Sequence, residues 1–332
     1  MMQAVLSTAC TEAAGPEGAS VQFPAKYASA QVANRLVGAV VVTYNPDALH
    51  LKELFRALGR QVAHIVVVDN GSKVVPDVGA ENFGAPVTLI DCRANLGIAA
   101  AHNKGLQQLD RLGMPYGLLM DHDSLPLEGM VQHLLAADLA LRQEGVKLAA
   151  VGPVTIDRRT RVRSKFVKIR HGIVGRVECA AGEQWTEADF LISSGTLIRL
   201  DVLRDVGEMN ETYFIDHVDT EWCLRALNKG YRIFGVCDAL LDHSLGDHVV
   251  RVWFGRMREV PVHSPLRNYY IFRNTIAMLR HVPMPIGWRS AHLYRMLQFL
   301  VFFVIGVPPR GLRARLMMKG IGHGLTGRSG KL

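Results

Sequence analysis

Cysteine is scarce in this sequence, and its residues stand singly along the chain. They show no zinc-type spacing and their number is odd; the five are Cys10, Cys92, Cys179, Cys223 and Cys237. We expect reduced thiols, mostly in the core, as in a cytoplasmic protein. The first residues also lack a basic segment followed by an apolar stretch, so a secretory signal is not expected.

Long hydrophobic runs are lacking too. The most apolar segment, residues 297–307, stops at Pro308 and Pro309, well short of the roughly 20 residues that a spanning helix needs. The chain beyond residue 309 carries basic residues and no acidic one. An apolar segment beside a basic tail favours shallow insertion next to anionic lipid headgroups. The alternative is a buried C-terminal helix followed by a solvated tail.

Charge is limited in amount but biased in sign. Only 20% of the 332 residues are charged and 49% are hydrophobic, which is enough to fill the core of a globular α/β protein. The formal net charge of +8 favours a polyanionic partner, which could be nucleic acid, an anionic membrane or a phosphorylated substrate. Nucleic acid is disfavoured because the basic residues gather near the C-terminus without a recognition motif.

The first half of the chain alternates between strand and helix patterns. Apolar runs at residues 36–43, 64–69, 87–90 and 117–121 predict strands, and residues 47–58 and 98–112 predict helices. This order predicts a doubly wound, mostly parallel sheet, which binds ligands beyond the carboxyl ends of its strands. Thr43, Asp69 and Asp121 lie at such ends.

The remaining pattern is less regular. It predicts helices at 132–143 and 220–229, strands at 148–153 and 189–200, paired short strands at 232–242 and helices beyond Ser264. We find no internal repeat and no compositional linker. The simplest division is a loosely ordered extension (1–34), one catalytic domain (35–263) and a helical, basic, membrane-associating region (264–332).

Two carboxylates follow the fourth predicted strand. Asp121 and Asp123 are separated by one residue, so in an extended chain both side chains point to the same side. Such oxygen ligands suit Mg²⁺ or Mn²⁺. Two aspartates near a turn are common by chance, however, so the spacing alone is a weak signal.

Seven motifs occur in order between residues 36 and 275. They are VVVTYNPD (40–47), VVVDNGS (66–72), NLGIAAAHNKG (95–105), LLMDHDS (118–124), SSGTLI (193–198), FIDHVDTEWCLRA (214–226) and DHSLGD (242–247). In this series the chain resembles family 2 glycosyltransferases, most closely the bacterial rhamnosyltransferases. The resemblance implies the GT-A fold and an inverting transfer from a sugar nucleotide.

The resemblance also implies a donor site. The residues that it assigns to the nucleotide are Thr43, Tyr44, Asn45, Asp69, Asn95, Gly97, Asn103, Asp121 and His122. Asp69 would accept the N3–H of a uracil or thymine ring; the alternative is an Asx turn that closes its loop. The alternative for Asn95, Gly97 and Asn103 is a loop that leads into a helix.

The family's metal site corresponds to three residues here. Asp121 and Asp123 match the motif whose cation bridges the donor phosphates and stabilises the leaving group. His243 matches a third ligand found in part of the family; the alternative is an ordinary hydrogen-bonded histidine. The implied cofactor is Mg²⁺ or Mn²⁺.

A general base is needed to deprotonate the acceptor hydroxyl. The resemblance aligns Asp219 with the family's catalytic aspartate, although Val218 stands where the family has an acid. Asp216 is the competing base. The alternative for Asp219 is a cap of the following helix.

Other residues are candidates for binding the two sugars. Trp222 and Arg225 share a helix face and could wall the acceptor site, or Trp222 could be a core residue. Ser193, Ser194 and Gly195 would shape the donor sugar pocket, unless they form a plain strand. A last group of residues could bind a phosphorylated lipid acceptor or could form a solvated helix face: Arg267, Tyr269, Tyr270, Arg273 and Asn274.

The combined hypothesis is a transferase at the inner face of the cell membrane. Its donor would be dTDP-L-rhamnose or a UDP-hexose, and its acceptor a glycan or lipid-linked saccharide. A nucleotidyltransferase would need a glycine-rich phosphate loop, which TYNPD does not provide. A catalytically silent binding module would be expected to lack carboxylates that this sequence retains: Asp121, Asp123 and Asp219.

Overall fold

A computed structural model describes residues 35–79, 81–170, 173–243, 248–253 and 257–332. The expected extension over residues 1–34 and Cys10 therefore lie outside the described residues. The strands are β1 (Val37–Thr43), β2 (His64–Asp69), β3 (Val87–Asp91), β4 (Tyr116–Asp121), β5 (Leu125–Pro126), β6 (Leu148–Asp157), β7 (Phe166–Arg170), β8 (Ile173–Val177), β9 (Trp185–Ala188), β10 (Leu197–Arg199), β11 (Arg232–His243), β12 (His248–Trp253) and β13 (Met257–Val262). The helices are α1 (Ala48–Gly59), α2 (Ile98–Arg111), α3 (Met130–Gln143), α4 (Leu200–Val206), α5 (Val218–Asn228), α6 (Pro265–His281), α7 (Ile286–Gly306) and α8 (Arg310–Thr326), with a 3₁₀ helix at Glu211–Tyr213.

One large sheet organises the described part of the chain. Its order is β3-β2-β1-β4-β10-β6-β11-β5, and β9 also pairs with β11. Strands β1 to β4 are mutually parallel where they pair, and β6 pairs with β11 in parallel. β10 is antiparallel to both of its neighbours. The predicted doubly wound, mostly parallel sheet is confirmed.

The sheet is buried on both faces, as its continuous apolar strands predict. Val40 of β1 packs on one face with residues of α2, α4 and α5, and Val41 packs on the other with residues of α1 and α3. Every residue of β1 is buried. Helices on both faces therefore leave the strand ends as the open part of the sheet.

Two predicted strands differ in the structure. Residues 189–200 were expected to be one strand, but β10 covers only Leu197–Arg199. Gly195 has a φ of 84°, and the Thr196 N–H donates to the Ser193 carbonyl oxygen at 3.0 Å, so the chain turns there. The paired short strands expected at 232–242 are the single strand β11, which is interrupted by a bulge between Val236 and Leu240.

The expectation that all cysteines are reduced is wrong for one pair. Cys179 and Cys237 form a disulfide across a sequence separation of 58 residues. Cys237 lies in the β11 bulge, and its N–H donates to the Gln184 carbonyl oxygen at 2.9 Å, so the segment that follows β8 runs beside it. Single cysteines this far apart carry no signal of pairing. Cys92 and Cys223 are free thiols.

The C-terminal region is helical, as expected. α8 packs closely along α6. The approach requires glycine at positions 320 and 324, because a Cβ at Gly320 or Gly324 would come within 2.7 Å of α6 carbonyl oxygens. Arg313 of α8 is buried and donates to the Asn268 side chain, so it is not part of a solvated basic tail. Among the described residues, no helix combines the length and hydrophobicity of a transmembrane span.

Candidate active site

Two strand ends bring the candidate metal ligands together. β4 ends at Asp121, and β11 ends at His243. Asp121, Asp123 and His243 each offer one ligand atom, and these atoms all lie within 4.8 Å of one another. Two oxygens and one nitrogen at this spacing fit Mn²⁺ or Mg²⁺, whose coordination is completed by water and phosphate.

The electrostatics of Asp121 agree with a cation site. Burial raises the pKa of the Asp121 carboxyl, and the neighbouring Asp123 charge raises it further. His243, His122 and Arg267 oppose this shift in the Asp121 pKa. Two carboxylates that repel each other in a partly buried place are stabilised when a divalent ion lies between them.

A chain of serine hydroxyls supports His243. Its Nδ1 lies 2.7 Å from the Ser124 Oγ, Ser194 donates to Ser124 at 2.8 Å, and the Asp121 N–H donates to the Ser194 Oγ at 3.2 Å. Because Nδ1 is engaged, Nε2 is the ring nitrogen that remains for a metal. The ordinary hydrogen-bonded histidine and the metal ligand are therefore compatible, since each uses a different nitrogen.

The serine segment lies beside the metal residues. Ser194 is buried behind them, and a Cβ on Gly195 would come within 2.4 Å of the Pro153 side chain. Both residues fix the backbone here, and their part in a donor sugar pocket stays a prediction. Sequence reasoning missed Ser124, whose only signal was its place directly after the two aspartates.

The candidate base Asp219 lies close to the metal residues. Its pKa is raised to about 6, above all by burial and further by the charges of Asp216 and Asp121, while backbone hydrogen bonds from Thr220 and Ser193 lower it. The Thr220 N–H donates to the Asp219 Oδ1 at 2.8 Å. His217 rather than Asp219 is the N-cap of α5, so the capping alternative is wrong.

Asp216, the competing base, is held by an arginine. The Arg267 guanidinium donates to Asp216 Oδ1 at 2.6 Å and to Oδ2 at 3.3 Å. Both Asp216 oxygens are therefore engaged by the same guanidinium. Asp219 lacks an arginine partner among the described residues and has the raised pKa, so it is the better base of the two.

Asp69 is fully buried at the ends of β1 and β2. Its Oδ1 accepts from the Thr43 hydroxyl at 2.9 Å, and its Oδ2 accepts from the Ser72 N–H at 2.9 Å. The carboxylate therefore closes its loop, as the Asx-turn alternative predicts, and its contact with a nucleotide base stays a prediction. Tyr44 and Asn45 are exposed beside it, and His122 bonds the Val42 carbonyl oxygen through Nδ1.

The other residues expected at the nucleotide make structural contacts. The Asn95 Oδ1 accepts from the Gly97 N–H at 3.0 Å, and a Cβ on Gly97 would come within 2.6 Å of the Phe214 carbonyl oxygen. Asn103 is buried and exchanges two hydrogen bonds with the Met209 backbone. The contacts of Gly97 and Asn103 join α2 to the segment before α5, and that of Asn95 stays within its own loop. All three therefore have structural roles, and their contact with a nucleotide stays a prediction.

Most of the expected acceptor residues are in the core. Trp222 is 2% exposed, and its indole N–H donates to the Gly207 carbonyl oxygen, so it cannot wall a pocket here. Arg225 pairs with Glu221 and bonds the Val206 and Glu208 carbonyl oxygens. Four α6 side chains are also buried, so they do not form a solvated helix face: Tyr269, Tyr270, Arg273 and Asn274. Of the α6 residues expected at the acceptor, Arg267 is the one that reaches the site.

A family comparison agrees with this geometry. The sequence model described as Glycosyl transferase family 2 matches residues 39–207. The chain belongs to glycosyltransferase family 2. It is also 35% identical over 263 residues to dTDP-rhamnosyl transferase RfbF of Shigella flexneri, covering 77% of this chain and 85% of that protein.

Solved structures show the fold of this family member. TarS of S. aureus is similar with a TM-score of 0.55 at 14% identity over 88% of this chain, which spans 49% of that one. TarS 1–349 in complex with UDP-GlcNAc is similar at 0.55 and 15% identity, over 88% of this chain and 81% of that one. GalNAc-T7 with UDP, GalNAc and Mn²⁺ is similar at 0.52 and 11% identity, over 82% and 58% of the two chains. The expected GT-A fold is confirmed.

Proposed function

We propose that this glycosyltransferase is an inverting rhamnosyltransferase that uses dTDP-L-rhamnose and a lipid-linked or cell-surface glycan acceptor. The 35% identity to a dTDP-rhamnosyl transferase over most of both chains supports the donor. The observation that carries the chemistry is the Asp219 carboxyl, which has no arginine partner among the described residues and whose pKa is raised to about 6, above all by burial.

Asp219 performs the proton transfer in this proposal. It accepts the proton of the acceptor hydroxyl as that oxygen attacks the anomeric carbon of the donor. The bond from this carbon to the phosphate oxygen breaks, and its electron pair leaves with the nucleoside diphosphate. A single displacement inverts the anomeric centre. A carboxyl with a pKa of about 6 is ionised near pH 7 and is still a stronger base than an ordinary aspartate.

Asp121, Asp123 and His243 would hold a divalent cation, which supplies charge stabilisation to the leaving diphosphate. Ser124 orients the His243 ring through Nδ1. Arg267 keeps the Asp216 carboxylate paired, which limits repulsion between Asp216 and the other carboxylates of the site. In this arrangement Asp121 and Asp123 engage the metal, and Arg267 engages Asp216. Asp219 is then the carboxylate of the site that accepts the proton.

We further propose peripheral contact with an anionic membrane, at the inner face where anionic lipids concentrate. Leu293, Leu297, Val301 and Ile305 of α7 are spaced four residues apart and are 49–67% exposed, so they form one apolar helix face. Cationic side chains on the neighbouring α8 are exposed as well: Arg310, Arg315 and Lys319. An apolar face beside cations is complementary to an anionic lipid surface.

A donor screen tests the proposed activity. Purified protein is incubated with Mn²⁺ and dTDP-L-rhamnose, UDP-hexoses or GDP-sugars, and release of the nucleoside diphosphate is measured with and without candidate lipid-linked acceptors. We expect turnover with dTDP-L-rhamnose that chelation of the metal abolishes. Turnover with a UDP-hexose instead would replace the proposed donor, and binding without turnover of any donor would support the silent module.

A further inference from the structure

The segment before α5 has an unfavourable backbone conformation. Phe214, Asp216 and His217 have φ angles of 64°, 65° and 62°, and none of them is glycine. A side chain with a Cβ disfavours this left-handed region, so the surrounding structure must hold the segment in place. The segment carries Asp216 and leads directly into Asp219.

Asn274 of α6 binds this segment through its amide group. Its Nδ2 donates to the carbonyl oxygens of Tyr213 at 3.0 Å, Ile215 at 2.8 Å and Asp216 at 2.8 Å. Asn274 is fully buried, so its amide group stands inside the protein and not in solvent. The three acceptors bracket the positive-φ residue Phe214 and include the carbonyl of the positive-φ residue Asp216.

Arg273 binds the same segment from the preceding position. Its Nη2 donates to the Thr212 carbonyl oxygen at 3.0 Å and to that of Tyr213 at 2.7 Å. The guanidinium lies over the rings of Tyr269 and Tyr270 and is almost fully buried. Such a buried cation is stabilised here by carbonyl dipoles and aromatic faces.

The remaining carbonyl of the segment is also satisfied. The Phe214 carbonyl oxygen accepts from the Ile98 N–H at 2.7 Å. Each carbonyl from residue 212 to residue 216 therefore has a donor, and most of these donors belong to Arg273 and Asn274. Buried carbonyls that lose their donors become costly, so the segment is expected to rearrange when the Asn274 amide is removed.

We propose that Asn274, aided by Arg273, is a positioning residue that holds the 212–217 segment so that the Asp219 carboxylate meets the acceptor hydroxyl. This inference rests on the proposed function, because it takes Asp219 as the base. Asn274 touches neither donor nor acceptor and acts only through the backbone of the segment.

The test compares Asn274→Ala with Asn268→Ala. Asn268 is an equally buried asparagine on the same helix, but its side-chain oxygen accepts from Arg313 of α8. We expect Asn274→Ala to bind Mn²⁺ and dTDP within about twofold of the wild-type affinity, with an unchanged KM for the donor, while kcat falls at least tenfold. Asn268→Ala should lose thermal stability to a similar degree and keep kcat within about twofold.

A crystal structure of Asn274→Ala supplies a readout that does not depend on activity. The proposal requires Asp216 or His217 to leave the positive-φ region, and an unmoved segment would overturn it. Equal losses of kcat in the two variants would overturn it as well. Asn274→Ser, which keeps a hydroxyl donor, should recover part of the kcat; if both Asn274 variants unfold while Asn268→Ala folds, the role is general stability and the proposal is wrong.

The proposed function fails separately from this inference. Wild-type kcat in Asp219→Asn would show that the base is misassigned. An inactive Asp219→Asn together with a fully active, folded Asn274→Ala would instead overturn the positioning role and leave the base in place.

Discussion

Arg267 binds both carboxylate oxygens of Asp216, at 2.6 and 3.3 Å. This pairing distinguishes two aspartates that stand only three residues apart. Asp216 is paired with a guanidinium, whereas burial raises the pKa of Asp219 to about 6. The difference gives the two residues different roles in catalysis.

Asp219→Asn should stop transfer and retain donor binding. An amide of the same shape cannot accept the proton, so kcat should fall about 10²–10⁴-fold. Turnover is measured beside calorimetric binding of dTDP, which should stay within about twofold of the wild-type affinity. Asp216→Asn is the matched control, and a larger loss of kcat in that variant would assign the base to Asp216.

The pH profile should reflect the raised pKa of Asp219. The base must be ionised, so kcat/KM, which reports the free enzyme, should fall with an acid midpoint near pH 6 rather than near 4. Because the folded-state pKa is raised, folding favours the protonated carboxyl: its contribution to stability is full below about pH 4 and is lost as the pH rises through about 6. Melting temperatures of wild type and Asp219→Asn between pH 4 and 7 measure this contribution to stability. A difference in melting temperature between the two proteins that does not change with pH would contradict the raised pKa.

The metal residues should differ in how strongly they affect Mn²⁺ binding. Asp123→Ala removes a ligand and should abolish metal-dependent turnover, while Ser124→Ala removes only the support of His243 and should weaken Mn²⁺ about 10–100-fold. Calorimetric titration of Mn²⁺ in the presence of dTDP measures both. Asp110→Ala breaks a surface ion pair with Arg204 and serves as the control. Unchanged Mn²⁺ affinity in Asp123→Ala would refute the site.

The apolar face of α7 should bind vesicles. Leu297→Glu with Val301→Glu places two charges on that face and should lower partition to anionic vesicles at least about tenfold. Co-sedimentation with vesicles rich in anionic lipid measures the effect. Leu112→Glu charges a hydrophobic residue exposed at the end of α2 and should change nothing. Equal sedimentation of all three proteins would defeat the membrane proposal.

Deletion of the chain beyond Pro309 is unsuitable as a test of membrane binding. It would remove Arg313, which is buried against Asn268, and so would disturb the fold.

The alternation of apolar strands with helices predicted the sheet and placed Asp121 at the end of β4. That inference succeeds because the carboxyl ends of parallel strands meet at one edge whatever the loops do. His243 came from family resemblance, and the structure brings it to the two aspartates through the antiparallel pairing of β11 with β5, which sets Asp242 opposite Leu125.

Polar residues on helices are the ones for which the sequence left two alternatives open. Asn103, Arg273 and Asn274 read as ligands or as a solvated face, yet they are buried against carbonyl groups far away in the sequence. A helical pattern of polar residues is the same whether they bind a ligand or are buried in the protein. The pattern shows which side chains share a helix face and not what covers that face.

The sequence by itself determined the alternating strands and helices of the first half of the chain, the paired carboxylates and the family, because these depend on local periodicity and on short motifs. Only the tertiary structure decided that an arginine pairs with Asp216 and that, within the described part of the chain, none pairs with Asp219. The physical reason is that the acidity of a carboxyl depends on burial and on neighbouring charges, and Arg267 reaches Asp216 from a helix that begins about 50 residues later.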